Sequence, residues 1–376
     1  MEEGNRSVSI LTFLFLLSFL FFTSSCHVAR YVWWNYADIH DNEKFPVVPV
    51  LKSANSKSFI HSSPDIKISL PESFNSLHHP VSFETFLEEH KTVAFLVIRN
   101  DSLLYERYFD GYSRESVLPS FSLAKSFVSA LVGIAIREGK ISSVNQPVTD
   151  FLPELADTGF RQVTLKDLLE MRSGIRFDEG YSNPFGEMGK FYYGLNLKRY
   201  TLSLHTQTKP GVAYNYQSAN TQLLAMALER ATGMKLPEYF GLKIWGPMGS
   251  EYNASWSVDS KRDNQAKAFC CINARAVDFA RFGKLYLDGG VSGNDTVVPA
   301  AWVRESLTIS NDSRDSQGYP YGYHWRVTRK GDFFAKGILG QYIYVSPSKK
   351  TVIVRFGKNS KGIVWAKLFE EMLTSF

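Results

Sequence analysis

The chain has 376 residues, 44% of them apolar and 21% charged, which is ordinary for a globular protein and enough for a large core in one big domain or two. The net charge of +5 comes from 42 basic and 37 acidic residues that are interspersed, so a nucleic-acid-binding protein is not suggested. Three cysteines, two of them the neighbours Cys270 and Cys271, predict no disulfide framework, because bridging adjacent residues demands unusual geometry. Zinc-ligand spacings are absent, and the His78-His79 pair reads as part of a surface loop, so neither a metal site nor a cofactor is expected.

Residues 10–22 are almost unbroken apolar sequence, shorter even when counted from Val8 than the roughly 20 residues a spanning helix needs. They end in Thr23-Ser24-Ser25-Cys26, the layout of an export signal with small residues at the cut. Arg6 is the only basic side chain ahead of the run, opposed by Glu2 and Glu3. Three outcomes stay open: cleavage with lipidation of Cys26, plain secretion, or an uncleaved anchor. The Cys26 site resembles a bacterial lipoprotein box, although Thr23 stands where a leucine is usual. All three place the rest of the chain outside the cytoplasm, in a periplasm or cell envelope, with the membrane as a partner through residues 1–26. Residues 27–80 form an extended segment with little periodicity. Within it Arg30-Tyr31-Val32-Trp33-Trp34-Asn35-Tyr36 is too aromatic for a free linker, and either packs on the main body or sits at a membrane interface.

Residues 81–376 form the main domain. Runs 93–99 and 103–108 alternate as strands about a turn at Asn100-Asp101-Ser102. Ser122 and Lys125 then open an apolar run to Ile136, closed by Gly139, which predicts a buried helix. Residues three apart share a helix face, so the Lys125 amine can reach the Ser122 hydroxyl. Burial among apolar neighbours disfavours an ammonium, and a neutral amine beside a hydroxyl is a base next to a nucleophile. The plain alternative is an N-cap serine and a snorkelling lysine. A second Ser-x-x-Lys, at Ser346 and Lys349, contains a proline and reads as a solvated turn.

Helices follow at 165–171, capped by Thr164, and at 219–231, closed by Gly233, with Tyr216-Gln217-Ser218 on the loop before the second. Ser218 is at least a candidate N-cap. The aromatic loop 176–210 carries Asp178 and Glu179, read as a solvated pair or as substrate contacts. Another helix spans 274–287. Strands at 323–327, 341–345 and 351–356 and a helix at 363–373 end the chain. The fold class is α+β: an antiparallel sheet of N- and C-terminal strands flanked by helices, with an inserted, mostly helical subdomain.

Ser122-x-x-Lys125, Tyr216-Gln217-Ser218 and Gly337-Ile338-Leu339-Gly340-Gln341 stand in an order that resembles the serine β-lactamase and penicillin-binding-protein superfamily. Within it the chain resembles the class C-like branch of family VIII carboxylesterases and 6-aminohexanoate-dimer hydrolases. The phrases Leu168-Leu169-Glu170-Met171-Arg172-Ser173-Gly174 and Ala274-Arg275-Ala276-Val277-Asp278-Phe279 carry the same resemblance. It implies Ser122 as the acyl-forming nucleophile, Lys125 as its base and Tyr216 as a proton shuttle. It also implies the backbone N–H groups of Ser122 and Gln341 as an oxyanion hole, with Gly340 allowing close approach. Ser218, Gly340 and Asp178 are the expected substrate contacts. Two departures stand out: Ser218 replaces the usual asparagine, and Ile338 replaces the usual Lys or His, with Lys336 out of register. The implied activity is hydrolysis of small esters or amides. The alternatives are a penicillin-binding carboxypeptidase or β-lactamase, or a non-catalytic envelope binding protein of the same fold. The absence of Gly-x-Ser-x-Gly disfavours an α/β-hydrolase.

Overall fold

A computed structural model describes residues 26–62, 66–78 and 81–374. The apolar run 10–22 lies outside these residues, as does most of the proposed export signal. Of the described helices none is long and apolar enough to cross a membrane.

Seven strands form the main sheet: β1 (Ile60–His61), β2 (Thr92–Arg99), β3 (Ser102–Tyr108), β4 (Arg326–Val327), β5 (Phe333–Gly337), β6 (Gln341–Ser346) and β7 (Thr351–Gly357). Their spatial order is β4-β5-β6-β7-β2-β3-β1, so the two ends of the domain meet where β7 pairs with β2. All pairings are antiparallel except the short edge strand β1, which runs parallel to β3. The period of two sorts each strand between two cores. On β2, Phe95 and Val97 face the N-terminal helix Phe83–Glu89 and the C-terminal helix Trp365–Met372, where Phe86 and Phe369 lie. Ala94, Leu96 and Ile98 face the larger core, which holds the helices Ala124–Arg137 and Ala276–Leu287. The result is a sheet covered on both faces, as the sequence implied.

A second sheet of four short strands was not foreseen. It joins Val47–Val50, Ala254–Ser257, Ile272–Ala274 and Leu118–Pro119. Such strands of two to four residues carry no readable alternation, so only their partners define them. This sheet ties the N-terminal segment to the strand that leads into Ser122. The aromatic stretch divides its faces: Tyr31 is in the core, whereas Trp33 is exposed. Run 274–287 splits, with Ala274 ending a strand and the helix starting at Ala276. Run 323–327 keeps only β4. Cys270 and Cys271 are bridged, contrary to expectation; Cys271 takes φ 76°, which turns the two sulfurs toward each other.

Candidate active site

The helix Ala124–Arg137 is buried on every side from Ala124 to Ala135, as the continuous apolar run requires. Gly139, with φ 69°, follows its end. Ahead of it a single 3₁₀ turn, Phe121–Leu123, carries Ser122. Phe121 adopts φ 44°, a left-handed conformation that few aromatic residues take, so the chain bends sharply just before Ser122. Ser120 fixes the bend from behind: its N–H donates to the Ile272 carbonyl and its Oγ accepts from the Ile272 N–H.

Lys125 Nζ lies 3.0 Å from Ser122 Oγ, 3.2 Å from Ser218 Oγ and 2.8 Å from the Phe269 carbonyl. Both Ser122 and Lys125 are buried. The setting differs from the apolar one expected, because three oxygens surround the amine. Ser218 also differs: Gln217 is the N-cap of the helix Ser218–Thr232, and Ser218 is its first residue. Its N–H and Oγ donate to the two oxygens of Glu179, at 2.7 and 2.6 Å. The chain Ser122, Lys125, Ser218, Glu179 is thus continuous. Burial raises the Glu179 carboxyl above its ordinary range, opposed by the Lys125 charge and the Ser218 bonds.

Of the acidic pair in the aromatic loop, only Glu179 reaches the site. Asp178 is solvent-exposed and accepts from the Gly180 N–H in its own turn. Tyr216 lines the same cleft as Ser122, and its ring centroid is 5.1 Å from Lys125 Nζ. The cleft, about 440 Å³, is further lined by Tyr181, Tyr214, Asp315, Arg326, Lys336, Gly337 and Ile338.

Gly340 and Gln341 do not line it. Gln341 is fully buried and pairs its side-chain amide with the backbone of Gly357. Gly340 (φ 83°) and Leu339 (φ 63°) make the tight turn between β5 and β6, and Arg355 Nη1 donates to the Gly340 carbonyl at 2.6 Å. The strand edge that meets Ser122 is Gly337-Ile338. A Cβ on Gly337 would lie 2.9 Å from the Ser120 carbonyl and 3.2 Å from Phe121 Cβ, so glycine allows this approach. The sequence pattern assigned this close approach to Gly340, three residues later, whereas Gly337 makes it.

A family model described as β-lactamase matches residues 83–362. The chain is similar to a 6-aminohexanoate-dimer hydrolase of Paenarthrobacter ureafaciens, at 31% identity over 295 residues, covering 72% of this chain and 74% of that protein. The chain belongs to the β-lactamase family. Its fold is shared with a solved structure from Bacillus anthracis provisionally described as a 6-aminohexanoate-dimer hydrolase (TM-score 0.79, 24% identity, 92% of this chain and 93% of that one). A family VIII carboxylesterase also shares it (TM-score 0.61, 15% identity, 78% and 95%). The protein is accordingly a serine hydrolase of this family.

The hydrolase carries two cations in its cleft that the sequence pattern did not supply. Lys336, out of register in the motif, still lines the cleft because it stands on β5 beside Gly337; its Nζ donates to Gln317 at 2.8 Å. Burial, helped by the nearby Arg326 charge, lowers its pKa to about 8. Arg326 on β4 donates to Asp315 at 2.6 Å, and its guanidinium lies 5.5 Å from the Tyr216 ring centroid. No motif marks Arg326, since β4 is only two residues long and Asp315 is eleven residues away. Glu179 was in view, but nothing in its spacing separates it from Asp178. Among the described residues no cluster of His, Cys, Asp or Glu is placed to hold a metal ion.

Proposed function

We propose that the hydrolase cleaves small esters or amides through an acyl-enzyme on Ser122. Ser122 Oγ attacks the carbonyl carbon while its proton passes to Lys125 Nζ. Lys125 accepts it as the neutral amine, with Phe269 and Ser218 holding the nitrogen in place. The N–H groups of Ser122 and Ile338 face the developing oxyanion; Ile338 takes this role instead of Gln341 because the Gly337-Ile338 edge borders the cleft. Tyr216, beside Lys125, hands the proton to the departing amine or alcohol. Water then attacks the acyl-enzyme by the reverse proton path, releasing the acid and restoring Ser122. The observation that carries the reading is the 3.0 Å approach of the buried Lys125 Nζ to Ser122 Oγ, which lines the cleft.

The chemistry of the cleft favours substrates bearing a carboxylate, which Lys336 is placed to meet. The same cation gives a second reading, a penicillin-binding carboxypeptidase or β-lactamase, its substantive support. Export with the N-terminus held at the membrane, by lipidated Cys26 or an uncleaved anchor, is part of the proposal. Support comes from the apolar run 10–22 and from the Cys270–Cys271 bridge, since disulfides persist outside the reducing cytoplasm.

Intact-mass analysis after a fluorophosphonate probe should show one adduct on the native chain and none on Ser122→Ala. Full ester and amide hydrolysis by Ser122→Ala would refute the acyl-enzyme. Stable labelling by a fluorescent penicillin, with no turnover of short linear amides, would favour the second reading.

A further inference from the structure

We propose that the N-terminal helix and an adjoining basic cleft form one docking surface for an anionic lipid bilayer, separate from the catalytic cleft. The inference rests on the reading that the N-terminus is held at a membrane. The helix Cys26–Trp34 seats one face on the body. Tyr31 Oη donates to the Tyr181 carbonyl at 3.1 Å, and Arg30 Nη1 to the Asp259 carbonyl at 3.2 Å. The opposite face is apolar and exposed: Val32 is 74% exposed, Trp33 84% and, just beyond the helix, Tyr36 56%. A tryptophan so exposed on a well-seated helix is the kind of residue that settles at a bilayer interface.

The start of this helix lies at the rim of a cleft of about 650 Å³ lined by Arg176, Lys190, Arg199 and His205, with Glu187 as its one acid. His27 places the two together. Its ring is 6.3 Å from that of Tyr200, which lines the cleft, and burial, with the Lys190 charge, lowers its pKa. Arg176, Lys190 and Arg199 form no ion pair among the described residues, so the cleft has an excess of positive charge facing solvent. Phe185 and Leu195, also exposed, flank the helix Glu187–Tyr193 against which the N-terminal helix packs.

Three features therefore coincide. The chain from residues 1–25, with its apolar run, enters the body at Cys26. A helix of nine residues is only about 14 Å long, so Trp33 stays within that reach of the entry point. The cleft beside the entry point offers guanidinium and ammonium groups to headgroup phosphates. One short apolar segment or one acyl chain binds a membrane only marginally, and a second, basic contact makes the attachment stable. The surface fits that second role.

The test uses the full chain, purified from a membrane fraction and returned to vesicles. Hydrogen exchange is compared on equal-part phosphatidylcholine–phosphatidylglycerol vesicles, on phosphatidylcholine vesicles and in detergent. We expect slower exchange at 29–36 and 185–205 on the anionic vesicles alone. Arg176→Gln, Lys190→Gln and Arg199→Gln together should remove this protection, each charge being worth about fivefold in surface affinity. Trp33→Glu should also remove it while ester hydrolysis stays at the native rate. Equal exchange on both vesicle types, in a chain that still floats with them, would overturn the docking surface and leave the anchor reading standing. A chain that does not float would overturn both. Equal protection by inorganic phosphate in detergent would make the cleft a site for small free anions and also overturn bilayer docking.

Discussion

Ser218 touches Lys125 on one side and both oxygens of Glu179 on the other, so the position of the amine depends on a carboxylate two hydrogen bonds away from it and three from Ser122. Glutamine at 179 retains one acceptor where Ser218 presents two donors, and Ser218 must turn. Glu179→Gln should lower kcat by about a hundredfold, the scale of a 1 Å displacement in a catalytic group. It should also remove an acid limb from the rate profile, lying above the usual carboxylate range because burial raises the Glu179 carboxyl. A stopped-flow pH series on both proteins measures this; a lower rate with an unchanged profile would assign Glu179 to packing alone. Lys336 supports a second prediction. With its pKa near 8, its charge is present below that pH and lost above it. KM for an amide bearing a carboxylate should rise as the pH passes 8, whereas KM for a neutral ester should not. Lys336→Gln should make the carboxylate substrate insensitive over the same range. Residue types at Ser122, Lys125 and Tyr216 were legible from their order. Glu179 and Arg326 were not, because each joins the site through a partner distant in sequence, and Lys336 stood out only as a cation out of register.

At the scale of elements, the turn between β5 and β6 shows how one buried side chain fixes a catalytic edge. Arg355 on β7 is fully buried, with its guanidinium 3.6 Å over Trp365 of the C-terminal helix. It donates to the carbonyls of Gly340, His90 and Asn359 and to the Thr92 hydroxyl. Arg355→Met would keep much of the volume and leave these acceptors without a partner, at about 1–3 kcal/mol for each that stays dry. We expect a loss of about 3 kcal/mol or more in denaturant titrations. Activity should also fall in the fraction that remains folded, since the Gly337-Ile338 edge then loses its backing. The long helices and the strands β2, β3, β6 and β7 were readable because they run for six or more residues. The strands of the four-stranded sheet are too short to repeat any period, and pairing partners decide them.

For the whole molecule, the sheet joins residues near both ends of the domain, and the helix bearing Lys125 is enclosed in the larger core against the helix Ser218–Thr232. His324 sits in this enclosure, with Nε2 3.1 Å from Thr221 Oγ1 and its backbone carbonyl accepting from Ser126. Burial, with the Lys125 charge, lowers its pKa to about 3 against 6.5 for a free imidazole. The unfolded chain therefore binds the proton first as the pH falls. The folded state loses stability between about pH 6.5 and pH 3, and nothing from this group above that window. His324→Asn, which tolerates the φ of 62° there, should flatten the acid side of the stability curve measured by urea midpoints. An unchanged acid slope would assign that loss to other groups. The sequence by itself determined the fold class and the order of the serine, lysine and tyrosine, because periodicity and motif spacing are local properties of a chain. The tertiary structure alone decided that Ile338 and not Gln341 borders the cleft, and that Glu179 backs Ser218. It alone showed that two cations reach the substrate side, since each of these depends on which distant backbones approach and which side chains burial leaves facing one another.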